Sequence, residues 1–316
     1  MKPVIFDVDT GIDDALAIAY ALSSPELELL GFTTCFGNVP VQEATRNTLA
    51  VLEMVEKDVP VYEGASQTFK RGMKPQWARL VHGKDGLGNV LKAEPLKRAA
   101  SGSAEDFMIK QVKERPNEIT IIAVGPLTNV ARAINKAPEI IPLIKNVVIM
   151  GGAVNVSGNV TPYGEANIVA DPEAADCVFS SGLSVTLVGL DVTMETLLPL
   201  AKMDEWRDVH SKTAHFFADM TEHYIGAYES FYPGIGGCAL HDPLAVGVVI
   251  DPSFVRTRLM NISVITDGEE VGNTVGNKEG ETKIHVCTEV EASRFLDHFL
   301  DRMSKVMHSS EFEMEG

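Results

Sequence analysis

The run Asp7-Val8-Asp9-Thr10-Gly11-Ile12-Asp13-Asp14 puts four carboxylates into eight residues, directly after the apolar segment PVIF and directly before a helix-period stretch. Like charges gathered at one strand end repel, and a hard divalent cation taking several oxygen ligands relieves that repulsion at least cost. Gly11 permits the tight turn that brings Asp9 and the Asp13/Asp14 pair together. Helix capping by Asp13 or Asp14 explains one or two of these acids, not four. An EF-hand loop starting at Asp7 would require a side-chain oxygen at its fifth position and Glu at its twelfth. Gly11 and Ile18 stand there instead.

Other segments that follow strand-like runs carry polar groups. Ile119–Val124 leads into Gly125-Pro126-Leu127-Thr128-Asn129, where a βα turn capped by Thr128 or Asn129 is the simplest reading. NVVIM leads into Gly151-Gly152-Ala153, which suggests a close backbone approach at the edge of a sheet. The stretch Asn159–Asn167 is loop-like and rich in neutral hydrogen-bonding groups, suited to a hydroxylated ligand, although Asx-turns also explain its asparagines. Leu240-His241-Asp242-Pro243 sets an imidazole beside a carboxylate. A helix start with Asp242 as cap and Pro243 in the first turn accounts for it equally well. The eight histidines lack zinc-ligand spacing, so a Ca²⁺-like hard ion fits the acids better than zinc. There is no G-x-S-x-G elbow, no activated cysteine motif and no GxGxxG or Walker loop. Covalent catalysis by Ser or Cys and a nucleotide phosphate ligand are both unsupported.

These groups need a scaffold that aligns strand ends. The runs PVIF, LELLGFTT, VPVY, ITIIAV, NVVIM and SVTLVGL predict strands, several of them apolar on both faces, as in a parallel sheet covered by helices. Between them, segments 14–23, 41–56, 104–115 and 172–180 carry helical spacing. After about Leu200 a long helical region spans 202–228, followed by strands at 256–266 and 282–289 and a helix at 292–306. The expected fold is therefore α/β: a doubly wound, mostly parallel central sheet flanked by helices, with a helical insertion after about residue 200, all in one domain over residues 1–316. Ligands bind outside the carboxyl ends of the strands in such folds. The tail 311–316 is expected to fray.

Composition narrows the partners. Lys and Arg number 27 against 44 Asp and Glu, a net charge of −17, which disfavours nucleic acid and anionic membrane surfaces. Four scattered cysteines, a charged cluster from residue 7 and no apolar run of membrane-spanning length point to a cytoplasmic protein without disulfides.

Taken in order, DVDTGIDDA, VGPLTN, MGGA, GNVTPYGEAN with ADPEAA, and LHDPLA resemble the inosine–uridine nucleoside hydrolase family, over Asp7 to Ala245. The resemblance implies an α/β fold with a mostly parallel sheet and hydrolysis of the N-glycosidic bond of ribonucleosides to ribose and free base. It also implies one bound Ca²⁺ and assembly into homodimers or homotetramers. Residue by residue, it implies Asp9, Asp14, the carbonyl of Val124 and Asp242 as calcium ligands, with Asp9 also taking a proton from the attacking water. Asp13 and Asn167 match groups that hold the ribose 2′- and 3′-hydroxyls, and Asn159 and Glu165 those that bind the 5′-hydroxyl. Asn38 and His82 match pocket positions more loosely, and His241 matches the acid that assists departure of the base. Such a set suits the chemistry, because cleavage leaves a cationic sugar and an electron-rich base.

The chain departs from the family pattern in two places. Thr10 replaces a proline, which bears on turn stiffness, and Ala166 replaces an aromatic residue, which leaves room beside the sugar or base. The aromatic-rich stretch Tyr224–Tyr232 suits either base stacking or core packing. Two alternatives remain at this level: a Mg²⁺-dependent phosphohydrolase of the haloacid dehalogenase type, and a nucleoside- or ribose-binding protein without chemistry. The first shares the strand followed by D-x-D, but Gly11 stands where it requires Thr or Val.

Overall fold

The computed structural model describes residues 1–72, 77–277 and 283–308. The first half alternates strand and helix: β1 (Lys2–Val8), α1 (Ile12–Leu22), β2 (Leu27–Thr34), α2 (Val41–Met54), β3 (Val61–Glu63), the single turn α3 (Arg79–His82), α4 (Ala104–Glu114), β4 (Thr120–Ala123), α5 (Thr128–Lys136) and β5 (Asn146–Met150). The second half continues with α6 (Ala166–Ala170), α7 (Pro172–Ser180), β6 (Val185–Val188), α8 (Leu190–Thr193), β7 (Leu197–Pro199), α9 (Lys202–Arg207), α10 (Lys212–Phe231), β8 (Gly237–Ala239) and α11 (His241–Ile250). It ends with β9 (Val255–Val264), β10 (Thr274–Asn277), β11 (Ile284–Val290) and α12 (Ala292–His308).

Nine strands form one sheet in the order β10-β9-β11-β6-β5-β4-β1-β2-β3, and β7 and β8 form a separate small pair. From β3 through to β11 neighbours run parallel, and only β9 against β11 and β10 against β9 are antiparallel. The strands are apolar on both faces because helices cover both. One core lies between the sheet and α1, α10, α11 and α12, the other between the sheet and α4, α5 and α7. Every residue of α11 is buried, which is why HDPLAVGVVI reads as apolar all round rather than amphipathic.

Chain order reverses at β1: β2 and β3 lie to one side, β4, β5 and β6 to the other. This is the switch point at which a crevice opens beyond the strand ends, and the aspartates follow β1 at that point.

The expected strands and helices fall within a few residues of their predicted bounds, with four differences of substance. The helical region at 202–228 is two helices, α9 and α10, broken where His210 takes a left-handed backbone (φ 57°) and Ser211 caps α10 by accepting from the Ala214 amide. Strands β7, β8 and β10 are too short to carry an alternating signal of their own and are absent from the expected set. The loop at Gly151–Ala153 follows β5, a strand well inside the sheet, and so does not lie at the sheet's edge. Neither Thr128 nor Asn129 caps α5: Thr128 Oγ1 donates to Asp171, and Asn129 Nδ2 donates to Asp7 and to the Thr34 carbonyl. The expected start of β11 at Thr282 and the tail 311–316 lie outside the described residues. Among the described residues no helix is long and apolar enough to cross a membrane.

Candidate active site

The acidic floor is built by the turn from β1 into α1. Asp14, in the first turn of α1, accepts from the Gly11 amide at 3.0 Å, as a helix cap does, and from the Asp9 amide at 3.0 Å. Asn38, after β2, donates its amide to Asp9 at 2.6 Å and its side-chain Nδ2 to Asp14 at 3.2 Å. Asp13 accepts from the amide of Asp242 at 3.2 Å, so the first turns of α1 and α11 meet head to head. Asp7 belongs elsewhere: it faces Thr33 and Asn129 between the strands, fully buried, and burial pushes its carboxyl up to about 7.

Burial, reinforced by the charge of Asp14, holds Asp9 and Asp13 well above the ordinary carboxylate range. Asp242 is raised by burial and then by Asp13, Asp14 and Asp9. Oδ1 of Asp9 and Oδ1 of Asp13 are buried without a hydrogen-bond partner. Orphaned carboxylate oxygens at this density fit a hard cation with an oxygen ligand set. As they stand, the side chains are held by backbone amides, and among the described residues no three His, Cys, Asp or Glu groups are drawn together around an ion position. The Val124 carbonyl is likewise engaged, accepting from Asn167 Nδ2 at 2.8 Å.

Above the floor opens a cavity of about 470 Å³. Asp13, Asn38, His82, Val124, Asn159, Glu165, Asn167, His241 and Asp242 line it, whereas Asp9 and Asp14 lie beneath and reach it through Asn38. One wall comes from β5 and α6. Glu165 is the N-cap of α6 and is 1% exposed. Its Oε1 accepts from the Asn167 amide at 2.9 Å, and its Oε2 from Gly152 at 2.9 Å and Ile168 at 3.2 Å. Asn159 Oδ1 accepts from the Ala166 amide at 3.0 Å. The sequence offered a ligand site or Asx-turns for this loop; Asn159 and Glu165 do bind backbone amides of their own loop.

The opposite wall is aromatic. The His82 ring stacks on Tyr224 (5.6 Å, 25°), and its Nδ1 accepts from the Ile12 amide at 3.1 Å, which leaves the proton on Nε2. Burial, with His223 nearby, lowers His82 to about 3, so the ring is neutral. Tyr228, one turn along α10 from Tyr224, places its hydroxyl 2.5 Å from Nε2 of His241, and Thr193 Oγ1 lies 2.6 Å from Nδ1. Burial lowers His241 to about 4. The aromatic stretch is thus both cavity wall and packed core. His241 opens α11 with Leu240 as the cap residue, so the capping reading of Asp242 does not hold. Sequence reasoning missed Thr193, and also Met150, Met194, Val81 and Ala78 of the lining, because apolar residues after a strand or on a helix carry no local mark of the cavity they face.

Carboxylates and an imidazole–phenol pair that line one cavity, at the switch point of an α/β sheet, suit a hydrolase of the glycoside-cleaving kind. The profile of the inosine-uridine preferring nucleoside hydrolases matches residues 4–297. The chain is 42% identical over 275 residues to uridine nucleosidase 1 of Arabidopsis thaliana, covering 87% of this chain and 81% of that one. It is 36% identical to a pyrimidine-specific ribonucleoside hydrolase of Salmonella paratyphi C, covering 95% and 98%. A purine-preferring ribonucleoside hydrolase from Gardnerella vaginalis superposes with a TM-score of 0.94 at 42% identity, over 97% of this chain and 99% of that one. The chain belongs to the inosine-uridine preferring nucleoside hydrolase family, whose members are N-ribosyl hydrolases. The phosphohydrolase and the non-catalytic reading find no support in these matches.

Proposed function

We propose that this chain hydrolyses ribonucleosides to ribose and free base in nucleoside salvage, with a Ca²⁺ held by Asp9, Asp14, the Val124 carbonyl and Asp242. The observation that carries the reading is the pair of buried, unpartnered carboxylate oxygens on Asp9 and Asp13, the first beneath and the second lining the cavity that His241 and Tyr228 also line. A bound divalent cation would offset the carboxylate charge and help orient the sugar diol and the water.

The chain's own groups then divide the work. Asp13 and Asn167 hold the 2′- and 3′-hydroxyls, and Asn159 and Glu165 the 5′-hydroxyl, so binding energy fixes the anomeric carbon for attack. Asn38 spans floor and cavity, and His82 presents its Nε2–H to the pocket. As the bond from C1′ to the base nitrogen breaks and the bond from C1′ to the water oxygen forms, Asp9 takes a proton from the water. The departing base gains a proton or hydrogen bond from Tyr228, backed by His241 and Thr193. The neutral His241 favours this relay because either ring nitrogen can accept while the other donates.

Relatives at the same 42% identity bear uridine and purine names, so identity alone does not select the base. The proposal extends to a single-domain, cytoplasmic protein assembled as a homodimer or homotetramer. A screen of purine and pyrimidine ribonucleosides and their 2′-deoxy analogues, with Ca²⁺ and with chelator, tests it. Release of reducing sugar from the ribonucleosides alone, lost on chelation and restored by Ca²⁺, is the expected result. Activity indifferent to chelation, or equal on 2′-deoxy substrates, overturns the metal and diol assignments.

A further inference from the structure

We propose that Thr274, on the outermost strand β10, is a positioning residue for the sugar-binding loop, setting the enzyme's use of the ribose 5′-hydroxyl. This rests on the reading of Asn159 and Glu165 as 5′-hydroxyl contacts. Thr274 is 1% exposed, and its one hydroxyl serves both sides of a single residue: Oγ1 donates to the Ala153 carbonyl and accepts from the Ala153 amide, each at 2.9 Å. Ala153 is itself buried and lies 121 residues away in sequence. Its neighbour Gly152 donates its amide to Glu165 Oε2. From Glu165 the bonds continue through the amides of Asn167 and Ile168, and from Asn167 Nδ2 to the Val124 carbonyl.

The hairpin grips the same segment a second time. Asn273 makes an antiparallel bridge with Gly164, the residue just before Glu165. Residues 273 and 274 therefore clamp the loop at both ends, at 164 and at 153. Asp191 in α8 takes the next amides along, those of Val154 and Asn155, and leaves Ala153 to Thr274. Replacing the hydroxyl by a methyl of similar size strands a buried N–H and C=O, and the loop must move to find partners. Glu165 moves with Gly152, while Tyr228 and His241 on the opposite wall hold their own bonds.

The test compares a ribonucleoside with its 5′-deoxy analogue on the Ca²⁺-loaded full chain, in wild type, Thr274→Val and Thr274→Ser. For Thr274→Val, kcat/KM on the ribonucleoside should fall roughly ten-fold, mainly through KM, and clearly less on the 5′-deoxy analogue, which feels the shift only through Asn167. Thr274→Ser should restore it. Hydrogen exchange at the Ala153 amide should quicken in the Val variant and not in the Ser variant. Equal loss on both substrates, or no loss, overturns the proposal, as does a wild type that does not distinguish the two substrates. Should Thr274→Val fail to fold, Thr274→Ala is read by the same comparison. A wild type that hydrolyses no ribonucleoside sinks the functional reading itself, a distinguishable result.

Discussion

On the proposed reading, Asp9 and His241 take opposite tasks, and their surroundings differ accordingly. Asp9 is buried beside Asp14 and keeps one carboxylate oxygen without a partner, the feature behind its proposed role as proton acceptor. His241, lowered by burial to about 4, is bonded to Tyr228 at 2.5 Å, and in the proposed mechanism that phenol donates toward the base. Removing that hydroxyl in Tyr228→Phe should lower kcat on a purine ribonucleoside by roughly 10²-fold. The loss should largely vanish on a riboside whose leaving group is a nitrophenolate, which departs without protonation. Equal losses on the two substrates, measured by steady-state kinetics, would place Tyr228 in packing rather than in leaving-group departure.

At the scale of elements, the site depends on loops that pass close enough to touch Asp9. A Cβ added at Gly125, just beyond β4, would lie 2.7 Å from Asp9 Oδ1, inside any tolerable contact. Gly125→Ala should therefore rotate the Asp9 carboxylate and depress kcat far more than it depresses the melting temperature. Overpacking of this kind usually costs about 1–3 kcal/mol of stability, whereas displacing a reacting group by about 1 Å reaches 10² in rate. Parallel kinetics and thermal melts separate the two. Helix α8 shows a related economy of placement: within four residues it carries Asp191 to the loop after β5 and Thr193 to His241, linking the two walls of the cavity.

For the molecule as a whole, two buried neutral histidines make folding sensitive to acid. The folded state lowers His82 from 6.5 to about 3, so below pH 6.5 the unfolded chain takes up a proton that the folded chain refuses. The stability His82 contributes is thus fully present above pH 6.5 and is lost as pH falls toward 3. Chemical denaturation of wild type and His82→Gln across that range should show the stability difference moving against wild type with acidification. A difference independent of pH would mean that His82 is protonated alike in both states.

The chain order of chemistry was legible in the sequence because local rules govern it. Aspartates after an apolar strand, a glycine turn, an alternation of strand and helix and a run of ordered motifs depend only on neighbours along the chain. They marked the Asp7–Asp14 turn, the loop to Asn167 and the His241-Asp242 step as candidates, and they predicted the doubly wound sheet that the fold shows. Tertiary structure alone decided which residues share the cavity and which serve it from behind. Asp9 and Asp14 proved to lie under Asn38. Tyr228 became a hydrogen-bond partner of His241 only through the packing of α10 against β8, which leads into α11. Thr274 met Ala153 across 121 residues. Side-chain spacing records what a strand or helix buries, but contacts between distant elements depend on the order in which the sheet stacks its strands, and no local pattern encodes that.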